Sequence, residues 1–233
     1  MDEKRAIELL GIMKKILDKH NITFWINAGT MLGAIRSGKF ISFDHDIDLG
    51  IWVEDREKLK EAIKETEFSA YFDDYFSYNG IKITTGNMTV GIRMYDKDKE
   101  ISKFRYMNAE SKKGEFIDYM LWCLKLRHAE SKEDSIPLYI TKFLVGFCKI
   151  IPAFIRRQII RFLHYVYIKV DSDCKVLVLP NHYYRDLKEI DFYGLKVKIP
   201  VKAEELLEYR FGEDWRTPRT DYVYWKDCKA LEK

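Results

Sequence analysis

The sequence predicts an α+β fold, a mixed sheet flanked by helices and carrying a helical insert. Three observations lead there. Helix-period and strand-period segments alternate through the N-terminal part of the chain. A strand with acids at alternate positions, Asp46-Ile47-Asp48-Leu49-Gly50, follows closely on a Gly29-Thr30 turn. From Ser135 to Val170 there is no acidic residue, while Lys142, Lys149, Arg156, Arg157, Arg161 and Lys169 sit among Phe, Ile, Leu and Tyr.

Residues 2–20 form an amphipathic helix in this reading, with Ile7, Leu10, Met13, Ile16 and Leu17 at helical spacing and Asn21 as its stop. Residues 22–27 are the first strand and 30–37 a short helix opened by the Gly-Thr turn. Lys39 to Phe43 is a loop delivering the acidic strand 46–52. Residues 54–66 are helical, with Leu59, Ala62 and Ile63 on the apolar side. Tyr78–Thr84 and Met88–Tyr95 read as a hairpin around a Gly86-Asn87 turn. Asp96–Glu100 is a solvated loop. The apolar run Glu115–Leu121 is predicted to be a strand in which Asp118 stands alone. Lys142, Lys149 and Arg156 recur every seventh residue and form one helical stripe, and Pro152 opens a second helix, where its missing N–H costs little. Beyond the insert, Val176–Leu179 and Leu195-Val197-Ile199 are strand candidates. Residues 201–211 are helical, ended by Gly212 at a left-handed C′ position.

Composition narrows the functional classes. The chain has 233 residues, suited to one elaborated domain, and 47% of them are hydrophobic, enough for a substantial core. Forty basic residues against 37 acidic leave a net charge of +3, too small for general nucleic-acid binding. Cys123, Cys148, Cys174 and Cys228 lie far apart without a C-x-x-C pair, which argues against a zinc site. The Met-Asp-Glu-Lys-Arg start opens a helix rather than a signal peptide, and no uncharged apolar run reaches the length of a membrane span. The expectation is a cytoplasmic protein in a reducing compartment.

The chemistry concentrates in the acidic strand. Residues two apart on a strand share a face, so Asp46 and Asp48 project together while Ile47, Leu49 and Ile51 face the core. Two parallel carboxylates beside a phosphate-sized turn suit magnesium, with manganese as an alternative ion, and a phosphate ester. A calcium loop starting at Asp44 is excluded, because it would need Gly and Glu where Leu49 and Asp55 stand. An apolar strand carrying one carboxylate makes Asp118 a third candidate ligand. Gly29 and Thr30 offer backbone N–H groups and a hydroxyl to an anion at a helix start. Arg36 is the leading phosphate clamp, ahead of Lys39, Lys82, Arg93 and Arg105. Asp44 lies at the edge of the site, and His45 faces the other way and packs. The basic, aromatic insert reads first as a packed helical subdomain with a solvated cationic stripe. Its second reading is a surface resting on anionic lipid, and its third a nucleic-acid groove.

The runs Ala28-Gly29-Thr30-Met31-Leu32-Gly33-Ala34-Ile35-Arg36 and Phe40-Ile41-Ser42-Phe43-Asp44-His45-Asp46-Ile47-Asp48-Leu49-Gly50 resemble the signature of LicD-type proteins. That family includes bacterial phosphocholine transferases, and fukutin and fukutin-related protein share the domain. Phe116-Ile117-Asp118 resembles a later family strand, and Phe211-Gly212-Glu213-Asp214-Trp215-Arg216-Thr217-Pro218 its closing element. The anchors run from about residue 24 to 218, with 130–170 unmatched. Ser42-Phe43 stands where Pro-Trp is usual, Phe211 replaces Tyr, and the cysteine cluster of the fukutin-related branch is absent.

The resemblance implies a nucleotidyltransferase-like fold of the DNA polymerase β palm type. It implies one domain over 1–233, with the helical insert at about 130–170 and a returning segment 171–233. It further implies a phosphotransferase moving phosphocholine or a polyol phosphate from a CDP-activated donor to a sugar hydroxyl. The acceptor would be a cell-surface glycan or lipid-linked glycan, such as lipopolysaccharide or teichoic acid. Asp46, Asp48 and Asp118 would be the catalytic and metal-binding residues, and Gly29, Thr30 and Arg36 would hold the donor. The residues themselves reach only as far as metal-assisted phosphoryl transfer. Two alternatives stay open: a nucleotidyltransferase that releases pyrophosphate from a nucleoside triphosphate, and a non-catalytic glycan- or membrane-docking module. Peripheral contact with an anionic membrane is compatible with the reading; a nucleic-acid partner is not expected.

Overall fold

The computed structural model describes residues 2–66, 68–73, 80–85, 88–106, 111–124, 138–170 and 175–232. The chain divides into two compact units, Met1–Phe104 with Val176–Glu232, and Arg105–Lys175.

The first unit opens with α1 (Glu3–Lys19), whose start is capped by the Asp2 carboxylate accepting from the Arg5 N–H at 3.2 Å. Its buried stripe is Ala6, Leu9, Leu10, Met13 and Leu17. This is the predicted helix turned slightly about its axis, so that Ile7 and Ile16 sit at the margin. Then come β1 (Phe24–Ile26), α2 (Ala28–Ser37) and β2 (Asp46–Trp52). A 3₁₀ turn at Val53–Asp55 leads to α3 (Arg56–Lys64), β3 (Ser69–Asp73), β4 (Gly80–Thr85), β5 (Met88–Tyr95) and β6 (Ile101–Tyr106).

β1 to β5 form a mixed sheet in the order β1-β2-β5-β4-β3. β2 runs parallel to β5, and the other pairs are antiparallel. β4 and β5 are the predicted hairpin arms; the Gly86-Asn87 turn lies outside the described residues. Along β2, Ile47, Leu49 and Ile51 are fully buried as the sequence suggests, and Asp48, Gly50 and Trp52 on the opposite face are buried as well.

A dense aromatic core lies beside β2. Trp25 is fully buried, with the rings of Trp52, Tyr95 and Tyr184 at 5.1, 5.4 and 5.4 Å. Trp25 pairs across the strands with Gly50, and a Cβ on Gly50 would fall 2.3 Å from the indole Nε1. The missing side chain is what lets the indole lie against the acidic strand. Gly50→Ala is therefore expected to overpack this core and cost about 1–3 kcal/mol, read as a lower urea midpoint with unchanged slope.

The second unit contains α4 (Lys112–Leu124), α5 (Leu138–Ile150) and α6 (Ala153–Val170). α4 corrects the sequence reading, in which Glu115–Leu121 was a strand. Gly114, Ile117, Leu121 and Leu124 are buried at helical spacing, whereas Phe116 is 64% exposed. A short contiguous apolar run does not distinguish a strand from a buried helix by period alone. The start signal lies just upstream, where the Ser111 hydroxyl accepts from the Gly114 N–H at 3.0 Å, as an N-cap does. α5 and α6 both pack on α4, and the Tyr119 and Thr141 hydroxyls are hydrogen-bonded at 2.9 Å. Pro152 stands immediately before α6, where its carbonyl accepts from the Arg156 N–H.

The chain continues through β7 (Lys175–Pro180), α7 (His182–Arg185), β8 (Leu187–Phe192) and β9 (Leu195–Pro200). It finishes with α8 (Ala203–Phe211), α9 (Tyr224–Asp227) and β10 (Leu231–Glu232). β10, β7 and β6 form a three-stranded sheet, and β8 with β9 a hairpin. Gly212 ends α8 as expected, but with φ 94° and ψ 173° it occupies an extended positive-φ region rather than the left-handed helical well. Among the described residues, no helix is long and apolar enough to cross a membrane.

Candidate functional site

The site is built where β1 turns into α2 alongside β2. The Asn27 N–H donates to the Asp48 carbonyl at 2.9 Å, prolonging the strand pairing by one step. Ala28 then takes a positive φ of 41°, a region that costs a residue with a Cβ about 1 kcal/mol or more. This reversal directs the Gly29 N–H at Asp48 Oδ2, 3.1 Å away. The Asp48 N–H in turn donates to Thr30 Oγ1 at 2.9 Å. The first turn of α2 is thus stitched to the acidic strand through both the backbone and the side chain of Asp48.

Two carboxylates crowd Gly29. A Cβ there would lie 2.4 Å from Asp44 Oδ2 and 3.6 Å from Asp48 Oδ2. Asp46 shares the strand face with Asp48 and hydrogen-bonds the Asp44 carboxyl. Burial, then the charge of Asp46, pushes the Asp48 carboxyl up to about 6. Arg93, Arg210 and the Gly29 N–H oppose the rise without cancelling it. Asp44 is raised as well, first by burial and then by the charge of Asp48. Such mutual repulsion is relieved by a cation. Among the described residues no three or more His, Cys, Asp or Glu side chains converge as a metal-binding set. The available donors are the pair Asp46 and Asp48. One or two carboxylates completed by substrate phosphate oxygens is the usual way magnesium is held, so the pair fits that ion.

Behind the acids lies a buried polar layer. Arg210 on α8 is fully buried; its Nη1 donates to Asn27 Oδ1 at 3.1 Å and its Nη2 to the Tyr224 hydroxyl at 2.9 Å. Asn27 Nδ2 donates to the Tyr95 hydroxyl at 2.8 Å, which donates to that of Tyr184 at 3.3 Å. Arg93 on β5 is also buried, with its guanidinium 5.8 Å from the Phe104 ring and 5.9 Å from that of Tyr224. The two arginines are counter-charges set behind Asp48.

Several expected residues meet here: Asp46, Asp48, Gly29 and Thr30, with Asp44 closer in than the edge position assigned to it. The Thr30 hydroxyl is buried and already engaged by the Asp48 N–H. Arg36 is half-buried in the last turn of α2, and this partial burial lowers its pKa. Seven residues of helix separate it from Gly29, about 10 Å along the axis. Lys39 is exposed, and the side chains of Lys82 and Arg105 lie outside those described. Asp118 is half-buried on α4, in the second unit, so the apolar strand in which it stood as a lone carboxylate is withdrawn. Sequence reasoning missed Arg210 and Asn27. A signal existed for Arg210: it falls three and four residues after Leu207 and Leu206, on the buried face of α8.

Gly29→Ala probes the crowding directly. The new Cβ forces the Asp44 carboxylate to turn away, while nothing in the hydrophobic core is disturbed. Turnover is expected to fall by on the order of 100-fold, as for a small misplacement of groups around a reacting centre, with a much smaller loss of thermal stability. Steady-state assays beside a thermal melt check both parts.

The sheet, with its carboxylate pair next to a strand-to-helix turn, defines a nucleotidyltransferase-type domain. The profile described as LicD/FKTN/FKRP, nucleotidyltransferase domain, matches residues 21–146, and the chain belongs to that family. An uncharacterised protein of Rickettsia prowazekii (strain Madrid E) is 36% identical over 144 residues, 58% of this chain and 50% of that protein. The ribitol-5-phosphate transferase FKTN of Homo sapiens is 42% identical over 52 residues, 22% of this chain and 11% of that protein. The matches thus span half or less of these relatives' own lengths. Among solved structures, lincosamide antibiotic adenylyltransferase LnuA overlaps with a TM-score of 0.40 and 11% identity, covering 85% of this chain and 82% of that one.

Proposed function

We propose that the chain is a magnesium-dependent transferase of phosphorus-containing groups. It moves a phospho-alcohol, phosphocholine or a polyol phosphate such as ribitol phosphate, from a CDP-activated donor to a sugar hydroxyl of a glycan or lipid-linked glycan. The observation that carries this reading is the carboxylate pair Asp46 and Asp48 held against the first turn of α2, with Asp48 pushed up to about 6. Family membership and the ribitol-5-phosphate transferases among the relatives support the phospho-alcohol.

In this mechanism Asp46 and Asp48 would hold the ion, which would supply positive charge to offset that of the donor diphosphate and of the leaving group. The acceptor oxygen bonds to the phosphorus distal to cytidine, the bridging P–O bond breaks, and CMP leaves. The Gly29 N–H and Thr30 hydroxyl keep the Asp48 carboxylate and backbone in register with α2, and Arg210 with Asn27 fixes the turn from behind. Arg36, at the far end of α2, suits a more distant part of the donor, where its guanidinium offers a bidentate contact. On the family resemblance alone, Asp118 would be a further ligand or the base that takes the acceptor hydroxyl's proton.

The test is a thermal-shift screen of CDP-ribitol and CDP-choline, with and without magnesium, followed by product analysis with a glycan acceptor. A ligand that binds the folded state raises the melting temperature by mass action. Magnesium-dependent stabilisation and release of CMP are expected. Pyrophosphate release from a nucleoside triphosphate would move the assignment to nucleotidyl transfer.

A further inference from the structure

We propose that the second unit docks on an anionic lipid surface through the outward face of α5 and α6. The two helices have sharply different sides. Inward, Thr141, Val145 and Cys148 on α5 and Ile160, His164 and Tyr167 on α6 are buried. Outward, Tyr139, Phe143, Phe147 and Ile150 form a stripe at helical spacing along α5, and Phe154 and Phe162 stand out from α6. Each of these six is between 58% and 78% exposed. Large aromatic and aliphatic side chains are not ordinarily left in water in such density on one small unit.

Charge selects the occupant. Lys142, Lys149, Arg157 and Arg161 are exposed on the same helices. No Asp or Glu occurs from Ser135 to Val170, and the described acids of this unit, Glu115 and Asp118, are both on α4. The six cations of the segment exceed the whole chain's net charge of +3, so the rest of the chain is net acidic. The basic character belongs to these two helices and not to the protein at large. Two copies of such a face repel each other, which disfavours self-association. Exposed apolar side chains interleaved with cations match the boundary between headgroups and acyl chains, where rings and aliphatic tips enter the membrane and lysines and arginines meet lipid phosphates. No described helix is long and apolar enough to cross a membrane, so this face rests on one. This inference stands independently of the proposed chemistry at Asp46 and Asp48.

The test is sedimentation of the whole chain with phosphatidylcholine vesicles, with and without phosphatidylglycerol. Binding is expected to need the anionic lipid and to fall with added salt. Lys142→Glu and Lys149→Glu should each lower partitioning by roughly fivefold or more. Phe143→Ser and Phe147→Ser, which change exposed side chains, should weaken it while leaving the circular-dichroism melt unchanged. Asp48→Asn should bind vesicles as the wild type does, which separates failure of this inference from failure of the catalytic reading. The proposal is overturned by absence of vesicle binding, or by binding indifferent to lipid charge and salt. It is equally overturned by a concentration-dependent dimer that Phe143→Ser dissolves, which assigns the face to a second copy, or by an RNA oligonucleotide that displaces the vesicles.

Discussion

Asp48→Asn is expected to abolish turnover and, at the same time, to make the magnesium-free protein more stable at neutral pH. The carboxyl is raised from its ordinary 3.8 to about 6 by burial and by Asp46. Below the lower value it is protonated in both the folded and the unfolded chain and contributes nothing to pH dependence. As pH rises from there, the unfolded chain loses its proton first. Folded-state stability therefore falls until the folded carboxyl has ionised as well, and the full penalty, about 3 kcal/mol, stands above that point. The amide keeps the shape and can still accept from the Gly29 N–H, but it carries no charge to bury. A gain of about 1–3 kcal/mol is expected at pH 7, or roughly 2–12 °C in melting temperature. Urea unfolding of both proteins in chelator should show the gap closing as pH is lowered toward 4, where the wild-type carboxyl is neutral too. A variant less stable than wild type at neutral pH would remove the strain assigned to this residue. Retained turnover would remove Asp48 from the mechanism.

Arg210→Met should have the largest effect on stability. The substitution deletes a fully buried guanidinium but leaves its partners in place. The Asn27 carbonyl oxygen and the Tyr224 hydroxyl lose their donor, and Asp48 loses one of two counter-charges. Removing one member of a buried charged network costs about 3–5 kcal/mol, because the remaining groups stay desolvated and unpaired. The melting temperature is expected to drop by roughly 6–20 °C. The charge component is separable. With Asp48→Asn in the background, Arg210 has no carboxylate to neutralise, so the double variant should be more stable by about 1 kcal/mol than the gain and the loss of the two single variants add up to. Strict additivity would show that Arg210 supports the fold without acting as a counter-charge for the site.

The parts of the site that were legible were those encoded within one element. Asp46 and Asp48 declare their common face because Ile47, Leu49 and Ile51 alternate with them, and those three are fully buried. The Gly29-Thr30 turn was visible because a short strand runs straight into it. Partnerships across the chain were not legible. Arg210 meets Asn27 across 183 residues, and Trp25 needs Gly50 opposite because of a strand register that neither segment states by itself. The parallel pairing of β2 with β5 likewise depends on a crossover and not on local pattern. α4 was misread for a different reason. Its apolar run is continuous, so strand and helix templates both fit, and the Ser111 cap that decides between them lies outside the run. Asp118 stands out as a lone carboxylate only in the strand reading, and on α4 the family resemblance alone supports it.

The proposed function requires Asp46 and Asp48 to act as a cation site that the donor completes. Calorimetric titration of magnesium into the wild-type chain at pH 7, with and without CDP-ribitol or CDP-choline, tests this directly, with Asp48→Asn run in parallel. Saturable heat that strengthens when one of these donors is present, and vanishes in the variant, is the predicted result. Identical magnesium binding by both proteins, or none by either in the presence of the donors, would contradict it.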